Sequence, residues 1–253
     1  FGRQRSPMDE SYPVQSTATT MRVVEALLDR GQAGVTELAR ALDLSKGAVH
    51  NHLQTLYRLG FVVRDGRQYR VGSRFLDLAA RARENVPAYR AARGEVTRLA
   101  RSSGEVAALV VEEHGTATYI LVTGNEDGEV DVREGERSPL HTDAAGKAIL
   151  AHRPEDEVRE LVGARAEPDG VSAEGPALFE ELRTVREQSV AFDREKQADG
   201  TRSVAAPLTT DDGRAVGAVC VVGPADRMSG KRLEEDVTGL VVSSAKSISV
   251  DLF

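Results

Sequence analysis

The stretch LDLSKGAVHNHLQTLYRLGFVVRDGRQYRVG, Leu42 to Gly72, leaves this chain fewer ways to fold than any other segment. Ser45 carries a hydroxyl that can accept from the free amides of a first helical turn, and Gly60 can adopt the left-handed conformation that ends a helix. Between them Val49, Leu53 and Leu56 recur at helical spacing and predict a buried stripe. The opposite side then offers Lys46, Gly47, His50, Asn51, Gln54 and Arg58. After Gly60 the period changes. Two short extended runs, FVVR and QYRV, flank Asp65-Gly66, a strong hairpin signal.

Upstream, Thr17 to Arg30 predicts a helix with Met21, Val24, Leu27 and Leu28 on one side, ended by Gly31. A second, Val35 to Leu42, turns Leu38, Ala39 and Leu42 inward. Helix, helix, helix, hairpin is the winged helix-turn-helix plan, placed here at residues 17–72. In that plan the third helix enters the DNA major groove and the wing meets backbone or minor groove. Asn51 and Gln54 have the geometry to pair with adenine edges, and Ser45, Lys46, Gly47, His50 and Arg58 complete the candidate surface. Arg64, Arg67, Arg70 and Arg74 cluster at the wing, where phosphate contact is expected. The same residues also suit a plain solvated face. His50 and His52, two apart, point to different sides of a helix, so a shared metal ion is not expected.

Charge favours the nucleic-acid reading. The 253 residues carry a formal charge of -7, yet residues 1–75 hold 11 Lys and Arg against 7 Asp and Glu, or +4, leaving -11 for the remainder. Counterion release depends on the face that meets phosphate, so an acidic whole does not exclude a basic reader. A hydrophobic content of 40% allows a real core, and a length of 253 residues predicts one large or two modest domains. The single cysteine, Cys220, excludes an internal disulfide. No apolar run approaches the roughly 20 residues of a membrane span, and a signal-peptide core is lacking, so a soluble cytoplasmic protein is expected. Residues 1–16 are expected to be a disordered tail or an expression remnant. Only 5 of the 33 basic residues are lysine, a composition compatible with either a high-salt cytoplasm or a GC-rich genome.

From Ser73 a linker helix, residues 73–90, carries Phe75, Leu76, Leu78, Ala79 and Ala82 spaced for burial. A further helix from Pro87 to about Ser102 carries Tyr89, Val96 and Leu99. An amphipathic helix leaving a small domain has little of its own to pack on, so pairing with a second chain is expected. Residues 91–253 then form a second domain. EVAALVVEEHGTATYILVTG and SVAAPLTTDDGRAVGAVCVVG predict two hairpins about His114-Gly115 and Asp212-Gly213. Helices are expected near Asp143, Pro154 and Pro176, and a last one through Leu233, Val237, Leu240, Ser244 and Ile248. The fold class is α+β, an antiparallel sheet with flanking helices.

Three motifs in order carry a resemblance: PLHTDAAGKAILA from Pro139, LRTVREQSVAFDREKQADGTRSVAAPL from Leu182, and AVGAVCVVGP from Ala215. They resemble the effector domain of the IclR family of transcriptional regulators, and LDLSKGAVHNHLQTLYRLGFV is similar to that family's winged helix. The resemblance spans Thr17 to Phe253. It implies a GAF-like effector domain, a homodimer or dimer of dimers, and double-stranded DNA whose occupancy responds to a small-molecule effector. No cofactor and no metal are expected. Where family members often show Ser-Thr and a later Arg in the third helix, this chain has Gly47, Ala48 and Asn51, so a relative's operator cannot be borrowed.

For the effector, Thr142 is expected to cap a helix beginning at Asp143, leaving the amides of Ala144 and Ala145 for a carboxylate or similar anion. The resemblance adds Asp193, Ser203, Cys220 and Val222 to that pocket. Cys220 and Val222 share a strand face by period-two alternation, which equally suits ordinary core, while Asp193 equally suits a turn and Ser203 a strand start. An enzyme is not expected. AAGKA is not a phosphate loop, since His141 stands where Gly is needed and Ala148 where Ser or Thr is needed. An enzyme keeping a GAF-like pocket and a constitutive architectural DNA binder remain the alternatives.

Overall fold

The computed structural model describes residues 12–124, 128–163, 176–194 and 200–252. The expected tail falls outside these up to residue 11, but Gln15 and Ser16 already belong to the first helix. Two compact units divide the chain, Phe1–Ala82 and Arg83–Phe253.

The first unit builds α1 (Gln15–Arg30), β1 (Ala33–Gly34), α2 (Val35–Leu42), α3 (Lys46–Arg58), β2 (Val62–Asp65), β3 (Gln68–Val71) and most of α4 (Arg74–Glu84), whose last two residues belong to the second unit. The three strands order β1-β3-β2, all antiparallel. Ser45 Oγ accepts from Ala48 N at 3.1 Å and Gly60 takes φ +78°, as the local signals predict. Val23, Val24, Leu27, Leu38, Val49, Leu53 and Leu56 close the core with Tyr69 from the wing. Met21 and Leu28 are not part of it: 47% and 62% exposed, they lie seven residues apart on the opposite side of α1. The burial expected for α4 is also absent. None of its residues is buried, Leu76 being 71% exposed, and of its apolar side chains Phe75 alone packs against this unit's core, its ring 4.8 Å from Phe61.

The second unit comprises α5 (Pro87–Ser103), β4 (Val106–Glu113), β5 (Thr116–Thr123), β6 (Arg137–Pro139), α6 (Ala144–Leu150), α7 (Glu155–Gly163), α8 (Pro176–Gln188), β7 (Ala191–Arg194), β8 (Thr201–Thr209), β9 (Ala215–Pro224), a π-helical stretch Arg232–Val237, and α9 (Thr238–Leu252). Its six strands order β6-β5-β4-β9-β8-β7, antiparallel throughout. Ala88 and Tyr89, within the expected linker, are buried in this unit's core. Period-two alternation assigns the sheet's two faces. Val219 and Val221 of β9 face α5 and α9, whereas Ala218, Cys220 and Val222 face α6.

At one end Glu105, 3% exposed, accepts from Arg227 at 3.0 and 2.8 Å and from Arg232 at 2.8 Å, tying the start of β4 to the chain beyond β9. A buried carboxylate is tolerated because charged donors replace its water.

Candidate nucleic-acid interface and effector site

On α3 the residues Lys46, Gly47, His50, Asn51 and Arg58 are exposed, with Ser45 exposed as its cap. The core stripe faces the other way because 3.6 residues per turn separate the two sets. Gln54 differs from expectation. It is half-buried, and its Nε2 donates to the Tyr69 hydroxyl at 3.4 Å, which ties it to the wing. His52 Nδ1 lies 2.8 Å from Thr20 Oγ1 on the α1 side, apart from exposed His50.

In the wing Arg64 Nε donates to the Gly66 carbonyl at 2.8 Å, and its guanidinium lies 5.8 Å from the Tyr69 ring centroid. Arg67 and Arg70 are exposed, and their side chains make no hydrogen bond or ion pair with another described residue. Arg74 is committed instead, donating to the Leu59 carbonyl and stacking 4.8 Å from the Phe61 centroid. Beside the wing lies a cleft of about 330 Å3 that draws on Thr36 and Glu37 of α2, which no sequence signal marked.

The start of α6 departs from expectation in its cap. Asp143, not Thr142, is the N-cap: its Oδ1 accepts from Gly146 N at 2.5 Å. Its Oδ2 accepts from Ser138 Oγ at 2.5 Å and from the Tyr119 hydroxyl at 3.3 Å. Thr142 donates to the Pro139 carbonyl at 2.8 Å and so lies one step outside the helix. Asp143 is 1% exposed, and burial pushes its carboxyl above the usual range despite three donors. Burial first, and then the Asp143 charge, holds the Tyr119 phenol well above its ordinary value.

Ala144 and Ala145 form the first turn of α6, where amides have no intrahelical acceptor, and both are buried. Opposite them the strand register gathers the other candidates. Asp193 pairs with Ser203, Ser203 with Val222, and Cys220 with Ala205, so Asp193, Ser203, Cys220 and Val222 share the face that α6 covers. Burial, and then Asp143, pushes the Cys220 thiol up, which makes it a poor nucleophile.

Sequence reasoning missed Tyr119, Ser138 and Lys147. Lys147 is 1% exposed, its Nζ donating to Glu181 Oε1 at 2.9 Å and to the Phe192 carbonyl at 3.3 Å, so it locks α6 to α8 and β7. Its position in AAGKA signalled a phosphate loop to be rejected, and only burial reveals its partners. Among the described residues no group of His, Cys, Asp and Glu could hold a metal ion, and no helix is long and apolar enough to cross a membrane.

Comparison with known families decides what this arrangement belongs to. A model described as the bacterial transcriptional regulator IclR C-terminal domain matches residues 81–250, and the IclR helix-turn-helix domain matches residues 16–66. The chain belongs to the IclR family. It is 31% identical to a probable HTH-type transcriptional regulator, ArcR, of Halobacterium salinarum, over 96% of this chain and 95% of that one. It is 30% identical to the HTH-type transcriptional regulator KdgR of Escherichia coli, over 94% and 93%. Among solved structures the Thermotoga maritima IclR aligns with a TM-score of 0.80 at 22% identity, covering 94% of this chain and 98% of that one. An IclR homolog from Microbacterium hydrocarbonoxydans, complexed with 4-hydroxybenzoate, aligns at 0.77 and 22% identity over the same shares. These IclR structures share the fold described above.

Proposed function

We propose that this IclR-family chain is a sequence-specific binder of double-stranded DNA whose promoter occupancy is set by a small polar effector held beneath α6. The observation that carries the DNA reading is the exposed side of α3, bearing Lys46, Gly47, His50, Asn51 and Arg58, next to a wing whose Arg67 and Arg70 are uncommitted. Asn51 reads a base edge, while Arg67 and Arg70 meet backbone. Asn51→Ala should therefore relax preference at one base position, and Arg67→Ala should weaken all sequences alike and lower the salt slope by about 0.9. Anisotropy titrations across a set of single-base operator variants test this, and wild-type affinity and preference in both variants would remove the reading.

The effector reading rests on Asp193, Ser203, Cys220 and Val222 meeting Ala144 and Ala145 on one sheet face. With Asp143 already at the helix start and Asp193 on the same face, a bare carboxylate is repelled. A metabolite presenting hydroxyl donors fits better. The 4-hydroxybenzoate of the Microbacterium homolog carries both a hydroxyl and a carboxylate. A thermal-shift screen of hydroxylated acids, sugars and aromatic acids should yield a ligand worth about 2.7 kcal/mol at a hundred times its Kd. Asp193→Asn should shrink that ligand-induced shift while DNA affinity stays unchanged. An undiminished shift would place the pocket elsewhere. Ala145→Asp is a poorer test, because Ala145 is fully buried and a charge there would attack folding instead.

The exposed apolar side chains of α4 support a homodimer or dimer of dimers, and the buried thiol of Cys220 supports a regulator without catalytic activity.

A further inference from the structure

The chain passes from the reader to the second unit through α4, whose last residues, Arg83 and Glu84, belong to that unit. No residue of α4 is buried, so its end is held by a few polar contacts. Arg83 makes the best placed of them. Its Nη1 donates to Glu134 Oε2 at 2.5 Å, and its guanidinium lies 5.0 Å from the ring centroid of Tyr89, which belongs to the second unit's core. Glu84 adds a pair with Arg90 at 3.3 Å, but the Arg90 side chain is 77% exposed and water weakens the pair. Glu134 lies in the turn that precedes β6, and this turn clasps Tyr119 of β5. Gly135 N donates to the Tyr119 carbonyl at 2.8 Å, and Tyr119 N donates to the Glu136 carbonyl at 2.9 Å. The Tyr119 hydroxyl in turn reaches Asp143, the cap of α6, as does Ser138, a short step along the chain from Glu134.

We infer that Arg83 and Glu134 are positioning residues that fasten the end of α4 to the wall of the effector site, so that a ligand drawing Asp143 away from Tyr119 frees that end. The inference rests on the effector reading above and adds to it the connection between that site and α4. Two routes lead from Asp143 to the turn that holds Glu134. One runs through the Tyr119 side chain into its own backbone, the other through Ser138 and the chain of β6. Asp143, Tyr119 and Ser138 are all buried, so no water competes for their hydrogen bonds and a displacement at one is felt at the next. At the far end the fastening is weak enough to release. The Arg83 and Glu134 side chains are 29% and 44% exposed, and Arg83 Nε is enclosed with no hydrogen-bond partner among the described residues, which offsets part of what the ion pair contributes. Docked and released ends of α4 therefore differ little in free energy, and a modest change at Tyr119 shifts the balance. An apolar anchor would hold the helix end in every state of the site.

Amide hydrogen exchange on the full-length protein, with no ligand added, tests the connection. Glu134→Gln should speed exchange in the last turn of α4 about threefold, because a partly exposed ion pair is lost. Tyr119→Phe removes only the hydroxyl that reaches Asp143, yet should speed exchange in that same turn about twofold. Asp143→Asn, which turns an amide donor toward Tyr119, should reproduce the Tyr119→Phe pattern. Tyr119→Phe combined with Glu134→Gln should add nothing to Glu134→Gln alone, since the path is already cut. Exchanging the two charges, Arg83→Glu with Glu134→Arg, should restore wild-type protection. Unchanged exchange in α4 for both Tyr119→Phe and Asp143→Asn, a double variant whose effects multiply, or an equal speed-up throughout α9 would overturn the connection. A ligand screen that finds nothing beside the expected exchange results would remove the effector reading and leave the fastening. Unchanged exchange beside a ligand that binds would remove the fastening alone.

Discussion

Replacing Gly146 with alanine should cost the second unit about 3 to 5 kcal/mol, at the upper end of single-residue effects. A β-carbon at this position runs into the carbonyl oxygen of Leu140, with the Leu140 carbonyl carbon and Cα also crowded. The obstacle is backbone, so no rotamer change relieves it. Retreat is also blocked, because every residue of α6 is buried between the sheet face and its neighbours. The glycine thus allows the chain before α6 to fold back onto the helix start, which brings Ser138 within reach of Asp143. Urea denaturation followed by circular dichroism should show the midpoint falling steeply or the soluble protein disappearing. A midpoint within error of wild type would mean that the backbone relaxes freely there.

Asp143→Ala should be nearly as damaging. The carboxylate accepts from Gly146 N, Ser138 Oγ and the Tyr119 hydroxyl, and its removal leaves three buried donors without an acceptor. Loss of an N-cap together with these unmet donors amounts to about 3 to 5 kcal/mol. Asp143→Asn keeps an acceptor for Gly146 and should cost less. The two variants also separate on pH. Because burial raises the folded-state carboxyl above its unfolded value, the folded protein holds the proton over a range where the unfolded chain has lost it. Wild-type stability should therefore contain a component that is full below the ordinary carboxylate range. It falls as pH climbs to the raised value and is constant above it. Asp143→Asn should lack that component, and an identical pH profile in wild type and Asp143→Asn would show that Asp143 ionises normally.

Much of the reader was legible because its signals are local. Ser45 needs only the next turn to act as a cap, Gly60 only its own φ, and Asp65-Gly66 only the two strands that it joins. The alternation in β9 likewise assigned Cys220 and Val222 to one face correctly. The same reasoning misjudged α1. Met21 and Leu28 are as apolar as Leu27, yet the buried arc is decided by where α2 and α3 approach, and that arc centres on Val23, Val24 and Leu27. On α4 the periodic leucines are real, but none of the helix's residues is buried, because periodicity marks an apolar side without supplying the surface that covers it.

The candidate site divides along the same line. The small residues AAG and an acid near a helix start can be read from residues in succession, because capping acts over three positions. That Asp143 outranks Thr142 as cap was decided by Ser138 and Tyr119, which arrive from β6 and β5 through strand pairing. Burial of Lys147 against Glu181, and the recess between Thr36 and Arg67, likewise exist only once distant segments have packed. The sequence by itself determined the helices, their stops, the hairpins and the two-unit order, since propensity, capping and periodicity act within a few residues. Only the tertiary structure decided which polar groups lose water together, because desolvation and pairing energies depend on neighbours that the chain brings in from far along its length.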